Sequence, residues 1–303
     1  MKFDVSDIKT FRSCQRQWQF TSRNKFHLRP TETPPQLIFG TIFHEALHAL
    51  YLGGSLDKVM ADVKREMNPE KDAALLAMIP GYAKEVLPED QDRFVILEVE
   101  HKFNIPASKM LQFFGVEFSN PEIDKIELVG SVDMVALDPI ANEIYFFEHK
   151  TCKDFRDPSY LWMDEQPRLY YGVLAMYVEE YNKKHPGSPA TIGGVYLNEV
   201  RKLLRKFQYL RTRCNYSKED MYYFLMSFVG YCIQSYRAVK DNLYCCPHPD
   251  YFKCKMCSYS DACATYMYQN VTKEQLLADF GSSIQERETD HLEEKTERSN
   301  DND

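Results

Sequence analysis

The sequence lacks the features of a membrane-spanning or exported chain. It contains no run of 18 consecutive apolar residues, which a transmembrane helix requires. Its first residues, MKFDVSDIKTFRSCQRQ, contain no apolar segment of the kind that a secretory signal peptide carries. We therefore expect a protein without a membrane partner that acts in the cytoplasm, or in the host cytoplasm if a phage encodes it.

Other features that the sequence lacks exclude further classes of protein. There is no internal repeat, and no G-x-x-x-x-G-K-[ST] motif that would indicate a helicase or other nucleotide-driven motor. Hydrophobic residues make up 44% and aromatic residues 14% of the 303 positions, which excludes a disordered or fibrous chain. A chain of this length can bury a sizeable core in one large domain or two small ones.

The net charge of -8 is unevenly distributed along the chain. Residues 281–303 contain eight acidic and three basic side chains, with few apolar ones among them. Such a segment cannot bury enough apolar surface to offset the entropy of ordering. We predict a disordered acidic tail over 281–303.

Two other stretches carry basic charge alone. Residues 8–31 contain six Lys or Arg and no acidic residue, and residues 201–213 contain another six. Aromatic residues stand among both sets, including Trp18 and Phe207. Basic side chains interleaved with aromatic ones suit phosphate backbones and unstacked bases. Two solvated faces are the alternative interpretation.

Hydrophobic periodicity predicts helices over 7–25, where Ser6 is a candidate cap, and over 41–52, 55–67, 70–87, 161–181 and 218–240. Strands are predicted over 94–103, 127–137, 143–151, 192–200 and 204–211. A cysteine-rich segment of little regular pattern follows, over about 245–268. This order indicates a single α/β domain over 1–280, with a helical insertion over about 41–92.

The most informative stretch is GSVDMVALDPIANEIYFFEHKT, which begins at Gly130. If DPIAN closes a hairpin centred between positions 140 and 141, Asp133 lies opposite Glu148, with Cβ atoms about 5 Å apart. Lys150 shares the face of Glu148, because side chains alternate along a strand. Two carboxylates on an otherwise apolar surface favour a hard cation such as Mg²⁺ or Mn²⁺. A surface hairpin with an Asp–Lys pair is the alternative.

A second motif lies further upstream. His44-Glu45-Ala46-Leu47-His48 is an H-E-x-x-H sequence, in which both histidines share one helix face, as in zinc metalloproteases. Glu66 is a candidate third ligand. A zinc peptidase is therefore one alternative function, although it leaves the carboxylate hairpin and the cysteines unexplained.

Nine cysteines are present, and their spacing favours a metal site over disulfides. Cys254, Cys257 and Cys263 form C-x2-C-x5-C. A fourth thiolate would complete a tetrahedral set, and Cys14, Cys245 and Cys246 are the candidates. Soft thiolates select Zn²⁺ or an iron–sulfur cluster, and spacing does not separate the two.

These motifs together resemble the RecB-like branch of the PD-(D/E)xK nuclease superfamily over about residues 6–268. The resemblance lies in G-x-x-D at Gly130 to Asp133, E-x-K at Glu148 to Lys150, and Q-x-x-x-Y at Gln166 to Tyr170. An upstream G-x-x-x-H, at Gly40 to His44, fits the same pattern. The sequence departs from the commoner family motif in having Glu at 148 and in having Pro167 directly after Gln166, which places the helix start near 165.

The resemblance implies a restriction-endonuclease-like core, a central mixed sheet flanked by helices, with an N-terminal helical part and a C-terminal Cys-rich segment. It implies metal binding by Asp133, Glu148, His44 and the main-chain carbonyl of His149. Catalysis is expected of Asp133, Glu148 and Lys150, and substrate contact of Gln166 and Tyr170. Glu100 is a further candidate as an outer carboxylate, with a solvated strand position as the alternative.

The chain also resembles AddB-type and CRISPR-associated iron–sulfur exonucleases. In those proteins one cysteine precedes the nuclease core and three follow it, and here Ser6-Asp7-Ile8-Lys9-Thr10-Phe11-Arg12-Ser13-Cys14 fits their N-terminal segment. The resemblance implies that Cys14, Cys254, Cys257 and Cys263 hold a structural 4Fe–4S cluster. Such a cluster would join two ends of the chain that lie far apart in sequence.

The sequence thus predicts a metal-dependent DNA exonuclease with an iron–sulfur cluster, acting in recombination, repair or phage DNA processing. Its expected substrates are single strands or duplex ends. Because the chain has no motor motif, we expect it to act alone or with a helicase or recombination partner. A catalytically inactive nucleic-acid-binding protein of the same fold is the second hypothesis.

Overall fold

A computed structural model describes residues 1–28, 30, 34–243 and 245–281. The acidic tail predicted for 281–303 lies outside the described residues, apart from Gly281. Across the described ranges, no helix is both long and apolar enough to cross a membrane. The chain divides into two compact units. One, here called the terminal unit, consists of the described parts of Met1–Pro34 and Gly230–Asp303, and the other, the sheet unit, of Pro35–Val229.

The helices and strands follow one another in this order: β1 Lys2–Phe3, α1 Val5–Ser13, α2 Gln15–Thr21, α3 Pro35–Tyr51, α4 Leu56–Glu66, α5 Leu75–Glu85, α6 Leu87–Arg93, β2 Val95–Pro106, α7 Ala107–Phe113, a 3-10 helix Pro121–Lys125, β3 Glu127–Asp138, β4 Glu143–Cys152, α8 Pro158–Leu161, α9 Glu165–Lys184, β5 Thr191–Arg201, β6 Tyr209–Cys214, α10 Lys218–Lys240, α11 Tyr251–Lys255, α12 Ser260–Tyr268 and α13 Lys273–Phe280.

The sheet unit is built on strands in the order β2-β3-β4-β5-β6. Strand β4 pairs antiparallel with β3 and parallel with β5, and the other neighbouring pairs are antiparallel. A parallel pair needs a long crossover connection, which here contains α9. The predicted architecture, a central mixed sheet flanked by helices, is confirmed.

Helices cover both faces of this sheet. On one face, apolar residues of α3 to α6 form a buried cluster with residues of the central strands, among them Phe43, Tyr82 and Phe147. On the other face lies α9, whose Tyr177 ring centroid is 5.8 Å from that of Phe146 on β4. Strand β4 is therefore buried on both faces, which explains why IYFF is apolar at every position.

The terminal unit contains short helices and its own apolar cluster. Phe20, Phe26 and Leu28 pack with Ala262 and Leu276 there. The Cys-rich segment, for which the sequence predicts little regular structure, contains the short helices α11 and α12. Sequence segments from the two ends of the described chain thus share one core.

The single helix predicted over 7–25 is wrong. The chain forms α1 and α2 instead, because Cys14 between them has an extended backbone, with φ -158° and ψ 107°. The cap of α1 is Asp4 rather than the expected Ser6, since the Asp4 side chain accepts a hydrogen bond from the Asp7 N–H. The apolar periodicity of the sequence continues from α1 into α2, so it does not indicate that the helix ends at Cys14.

Candidate active site

The hairpin of β3 and β4 has the register expected from the sequence. Its Cα pairs run from Asp138↔Glu143 to Met134↔Phe147, so Asp133 and Glu148 occupy the next opposed positions. The turn forms because Asp138 Oδ1 accepts hydrogen bonds from the N–H groups of Ile140 and Ala141, at 3.1 and 3.0 Å. The turn chemistry of DPIAN therefore determines which carboxylates face each other.

Asp133 is held through both of its carboxylate oxygens. Oδ1 lies 3.2 Å from His44 Nδ1, and Oδ2 accepts a hydrogen bond of 2.6 Å from the main-chain N–H of His149. Burial alone would raise the pKa of Asp133, but the His44 contact and the His149 N–H lower it overall. Asp133 is therefore ionised at neutral pH and has a fixed orientation.

Glu148 is buried, with 5% of its surface exposed. Its Oε1 accepts a hydrogen bond of 2.8 Å from Gln166 Nε2 and also contacts Lys150 Nζ. Its Oε2 is buried and has no hydrogen-bond partner among the described residues. Burial and the negative charge of Asp133 raise the pKa of Glu148. A cation beside Oε2 would relieve both effects.

Lys150 lies on the same face as Glu148, as the alternation of β4 predicts. Burial alone would lower the pKa of Lys150, but the Glu148 carboxylate raises it overall, so the ammonium group is charged. His149 faces the opposite side of the strand. Burial lowers the pKa of its imidazole to about 4, and the ring is therefore neutral at physiological pH.

The first turn of α9 supplies the neighbouring polar groups. Asp164 caps the helix by accepting a hydrogen bond from the Gln166 N–H, and Pro167 occupies the first turn, as expected. Gln166 Nε2 lies 3.0 Å from the hydroxyl of Tyr170, which donates a hydrogen bond of 2.7 Å to the Ser131 carbonyl. Gln166 and Tyr170 thus lie together beside Glu148.

Gly130 has a steric reason to be glycine. A Cβ atom at this position would lie 2.6 Å from the ring of Phe103 on β2. The same ring packs edge-on against Tyr170, with centroids 6.0 Å apart. Close approach of β2 and β3 at Gly130 is therefore part of the packing that supports the Gln166–Tyr170 pair.

The two histidines of the H-E-x-x-H motif contact different carboxylates. His44 contacts Asp133, whereas His48 Nδ1 lies 3.4 Å from Glu100 Oε1 on β2. Glu100 has the uncommon backbone angle φ 55°, and it lies just after the β-bulge that interrupts β2 between Ile96 and Glu98. Glu45 and Glu66 are exposed. In the described ranges, no three His, Cys, Asp or Glu side chains are placed to hold a metal ion, as a zinc peptidase would require.

The same observation bears on a divalent-metal site at the hairpin. Here the groups that fit the ion are oxygens of two carboxylates, which are the donors that Mg²⁺ and Mn²⁺ prefer. Among these oxygens, Glu148 Oε2 is buried without a hydrogen-bond partner in the described residues, and a cation beside it would offset the cost of burying it. His44 Nδ1 is directed at Asp133 and would have to turn to become a ligand.

The four cysteines of the expected cluster all lie in the terminal unit. Burial raises the pKa of Cys257, and the charges of Cys14 and Cys254 raise it further. Burial also raises the pKa of Cys263, and the charges of three other cysteines raise it further: Cys14, Cys257 and Cys254. The thiols are thus within electrostatic range of one another, although no three are placed as metal ligands in the described residues. None of the nine cysteines, all within the described ranges, forms a disulfide.

The structure separates the second basic stretch into two groups. Arg201, Arg211 and Arg213 make ion pairs within the sheet unit, with Asp154, Asp90 and Glu143 respectively. Arg205 and Lys206 are exposed in the loop between β5 and β6. In the first stretch Arg16 is buried, with its guanidinium carbon 4.5 Å from the Tyr266 ring centroid, and Arg29 lies outside the described residues.

Sequence reasoning missed two residues of the site. Glu199 on β5 is paired in register with Lys150 on β4 and is buried, and it accepts a hydrogen bond of 2.8 Å from Arg156 Nε. Its neighbour Asn198 is also buried and contacts His149. The available signal was a pair of polar residues inside the apolar strand IGGVYLNEV. Buried polar residues in a strand indicate a polar partner.

The chain aligns over 80% of its length with a crystal structure of a "Putative exonuclease" from Eubacterium rectale, covering 82% of that chain at 10% identity and a TM-score of 0.46. The crystal structure of SSO0001 aligns over 86% of this chain and 85% of its own, at 12% identity and a TM-score of 0.35. A search of curated proteins finds no match. The model of the PD-(D/E)XK nuclease superfamily matches residues 2–264. The chain therefore belongs to the PD-(D/E)XK nuclease superfamily.

Proposed function

We propose that this protein is a Mg²⁺- or Mn²⁺-dependent deoxyribonuclease that acts as an exonuclease on single strands or duplex ends. The observation that carries the proposal is the buried Glu148 Oε2, which has no hydrogen-bond partner in the described ranges and lies in a hairpin with Asp133 and Lys150. A buried carboxylate oxygen without a donor is costly unless a cation is bound beside it.

Each polar side chain of the site has a proposed role. Asp133 and Glu148 would hold the ion, together with the His149 carbonyl and His44. The bound ion would supply a Lewis acid for phosphodiester hydrolysis. Lys150 orients the attacking water and offsets negative charge that develops on the phosphate. Gln166 and Tyr170 contact the substrate strand near the scissile phosphate.

We propose that Arg205 and Lys206 bind the phosphate backbone outside the site, since both are exposed. Basic side chains that bind phosphates release the counterions condensed on the DNA, so the affinity for DNA falls steeply as the salt concentration is raised. The variant Arg205→Ala should reduce the slope of log Kd against log salt by about 1. Fluorescence anisotropy with labelled DNA measures the slope, and an unchanged slope would remove Arg205 from the interface.

For the terminal unit, we propose a structural 4Fe–4S cluster held by Cys14, Cys254, Cys257 and Cys263. What supports it is the mutual electrostatic effect of these thiols and their shared location in one compact unit. The cluster would link two chain segments there and take no part in hydrolysis. Anaerobic purification should give a brown protein containing iron and sulfide in equal amounts, and a colourless zinc protein would overturn this proposal.

The nuclease proposal is tested on end-labelled and circular DNA with Mn²⁺. The wild-type protein should shorten linear DNA from an end, and Lys150→Ala should lose about 10²–10³-fold in rate because charge stabilisation at the phosphate is lost. Lys153→Ala, an exposed lysine three positions later, is the matched control. Binding of DNA without any Mn²⁺-dependent cleavage would favour the inactive binding protein instead. Cleavage of circular DNA would indicate an endonuclease.

The cellular setting of this activity is also a proposal. We infer a cytoplasmic enzyme of recombination, repair or phage DNA processing, which works with a helicase or recombination partner that supplies the motor. Adding a DNA helicase to the assay on blunt duplex DNA should then raise the digestion rate, whereas digestion of single strands should not change.

A further inference from the structure

A buried polar network lies on the face of the sheet that α3 to α6 cover, on the opposite side of β4 from the Glu148 side chain. Its charged pair is Asp90 of α6 and Arg211 of β6. The guanidinium donates two hydrogen bonds to the Asp90 carboxylate, 2.6 and 2.8 Å long, and Asp90 is 1% exposed. A paired fork of this kind fixes the orientation of the guanidinium group.

Arg211 in turn fixes the amide of Asn198. Its Nε donates a hydrogen bond of 2.8 Å to Asn198 Oδ1, and the Tyr209 hydroxyl donates to the same oxygen at 3.2 Å. Because a guanidinium can only donate, the Asn198 oxygen must face Arg211. The Asn198 NH2 group therefore faces the other way.

That NH2 group lies 3.2 Å from Nδ1 of His149. Since the amide nitrogen donates, Nδ1 accepts, and the neutral imidazole carries its proton on Nε2. The ring also stacks on Tyr51, with centroids 5.8 Å apart and planes inclined by 23°. The His149 side chain is thus fixed in both position and tautomer by groups on the opposite side of β4 from the Glu148 and Lys150 side chains.

The main chain of His149 belongs to the other side of the strand. Its N–H donates the 2.6 Å hydrogen bond to Asp133 Oδ2, and Glu148 and Lys150 flank it. A shift of the His149 ring would therefore move the His149 N–H that binds Asp133. It would also move the side chains of Glu148 and Lys150, which flank His149 on β4.

We propose that Asn198 is a positioning residue, which holds the His149 ring so that the Glu148–Lys150 segment is aligned with Asp133. The proposal rests on the proposed nuclease function. It assigns the Asp90–Arg211 pair a place in the same chain of contacts, as the groups that set the Asn198 amide. Groups that orient metal ligands in this way typically change metal affinity or activity by about 10- to 100-fold when they are removed.

A double-mutant cycle tests the link. His149→Phe keeps the ring packing against Tyr51 and removes Nδ1, and Asn198→Ala removes the amide. Each variant should lower kcat by about 10- to 100-fold and weaken Mn²⁺ binding in calorimetry by about 10-fold, while KM for DNA changes less than about 2-fold. The double variant should lose no more than the worse single variant, because both break one contact.

Tyr209→Phe is the matched control. It removes a hydrogen bond to the same Asn198 oxygen, yet Arg211 still holds the amide, so kcat and Mn²⁺ affinity should stay within about 2-fold of wild type. If Asn198→Ala does not fold, His149→Phe and Tyr209→Phe still decide the matter. Nitrogen-15 NMR of the wild type should show His149 Nδ1 without a proton.

Several outcomes would overturn the proposal: additive losses in the cycle, a lowered melting temperature with unchanged Mn²⁺ affinity and kcat, or a protonated Nδ1. Failure of the nuclease proposal looks different. In that case the wild type shows no Mn²⁺-dependent cleavage for Lys150→Ala to remove, whereas calorimetry and NMR still report on the Asn198–His149 contact.

Discussion

The carboxylate site and the cysteine region differ in how their polar atoms are held. At the hairpin, Asp133 and Glu148 have donors from His44, the His149 N–H, Gln166 and Lys150. In the cysteine region, Cys14 Sγ accepts one N–H from His248 at 3.4 Å, and Cys263 Sγ lies 3.8 Å from Met267 Sδ. The protein itself fixes the carboxylates, whereas these two sulfur contacts are long and weak.

The difference teaches that the two sites should respond to ligand loss in different ways. The hairpin should keep its geometry without an ion and lose chemistry alone, because hydrogen bonds hold the carboxylates. The terminal unit should lose stability without the proposed cluster, because the cluster would add bonds between segments that are otherwise joined by a small apolar core.

The largest effect is expected from Asp133→Asn. This nearly isosteric change removes the negative charge that would attract the ion, and the rate of DNA cleavage with Mn²⁺ should fall by about 10³-fold or more. The melting temperature should stay within about 3 °C of wild type, which corresponds to roughly 1 kcal/mol for a chain of this size. A large loss of thermal stability would show that the carboxylate supports the fold.

Asp90→Ala should give the largest loss of stability in the sheet unit. It leaves the Arg211 guanidinium, whose side chain is 20% exposed, without its paired carboxylate. Losing one partner of a fully buried pair typically costs about 3–5 kcal/mol of unfolding free energy, and we expect about 2–3 kcal/mol here because Arg211 reaches solvent. Asp62→Ala is the control, because Asp62 pairs with Arg65 at the surface and such pairs contribute about 0–1 kcal/mol. Urea unfolding measures both variants, and equal effects would show that the Asp90–Arg211 pair stabilises the fold no more than a surface pair does.

A smaller loss of stability should follow Cys254→Ala. Without one thiolate the cluster should be lost, and melting should fall by on the order of 5 °C, with new protease cuts at residues of the terminal unit. Digestion of DNA at low temperature should be retained. Cys246→Ala, which changes an exposed cysteine outside the proposed set, should keep both colour and melting temperature. If the two variants behave alike, Cys254 is not a ligand.

The smallest effect concerns pH. Burial raises the pKa of Asp7 from 3.8 to about 6, so the folded protein binds this proton more tightly than the unfolded chain does. Stability from the protonated form is therefore present below pH 4 and lost as pH rises to 6. The free energy of unfolding of the wild type should therefore fall between pH 4 and pH 7 by about 1–2 kcal/mol more than that of Asp7→Asn, after a discount for solvent screening. Urea midpoints at pH 4 and pH 7 measure it, and parallel curves for both proteins would disprove it.

The hairpin and the family could be predicted from sequence because they depend on local chemistry. The turn residues around Asp138 fix the register of β3 and β4, and alternation then assigns Glu148 and Lys150 to one face. The start of α9 was predictable for a similar reason, since Pro167 fits the first turn of a helix.

The contacts between distant segments could not be predicted in the same way. Nothing near Arg211 in the sequence indicates that it pairs with Asp90, and a run of basic residues suggested a surface that binds phosphate. The break at Cys14 also gave no local signal, because no Pro or Gly marks it. Pairings over more than 100 positions depend on how strands and helices are arranged in space.

The close packing at Gly130 limits which substitutions this chain can accept during evolution. Any larger residue there would push the Phe103 ring toward Tyr170, and the disturbance would reach Gln166 and Glu148. In a laboratory selection for active variants, we expect Gly130→Ala to survive alongside a smaller residue at 103 and to be lost without one. Two positions on neighbouring strands would then be inherited as a pair.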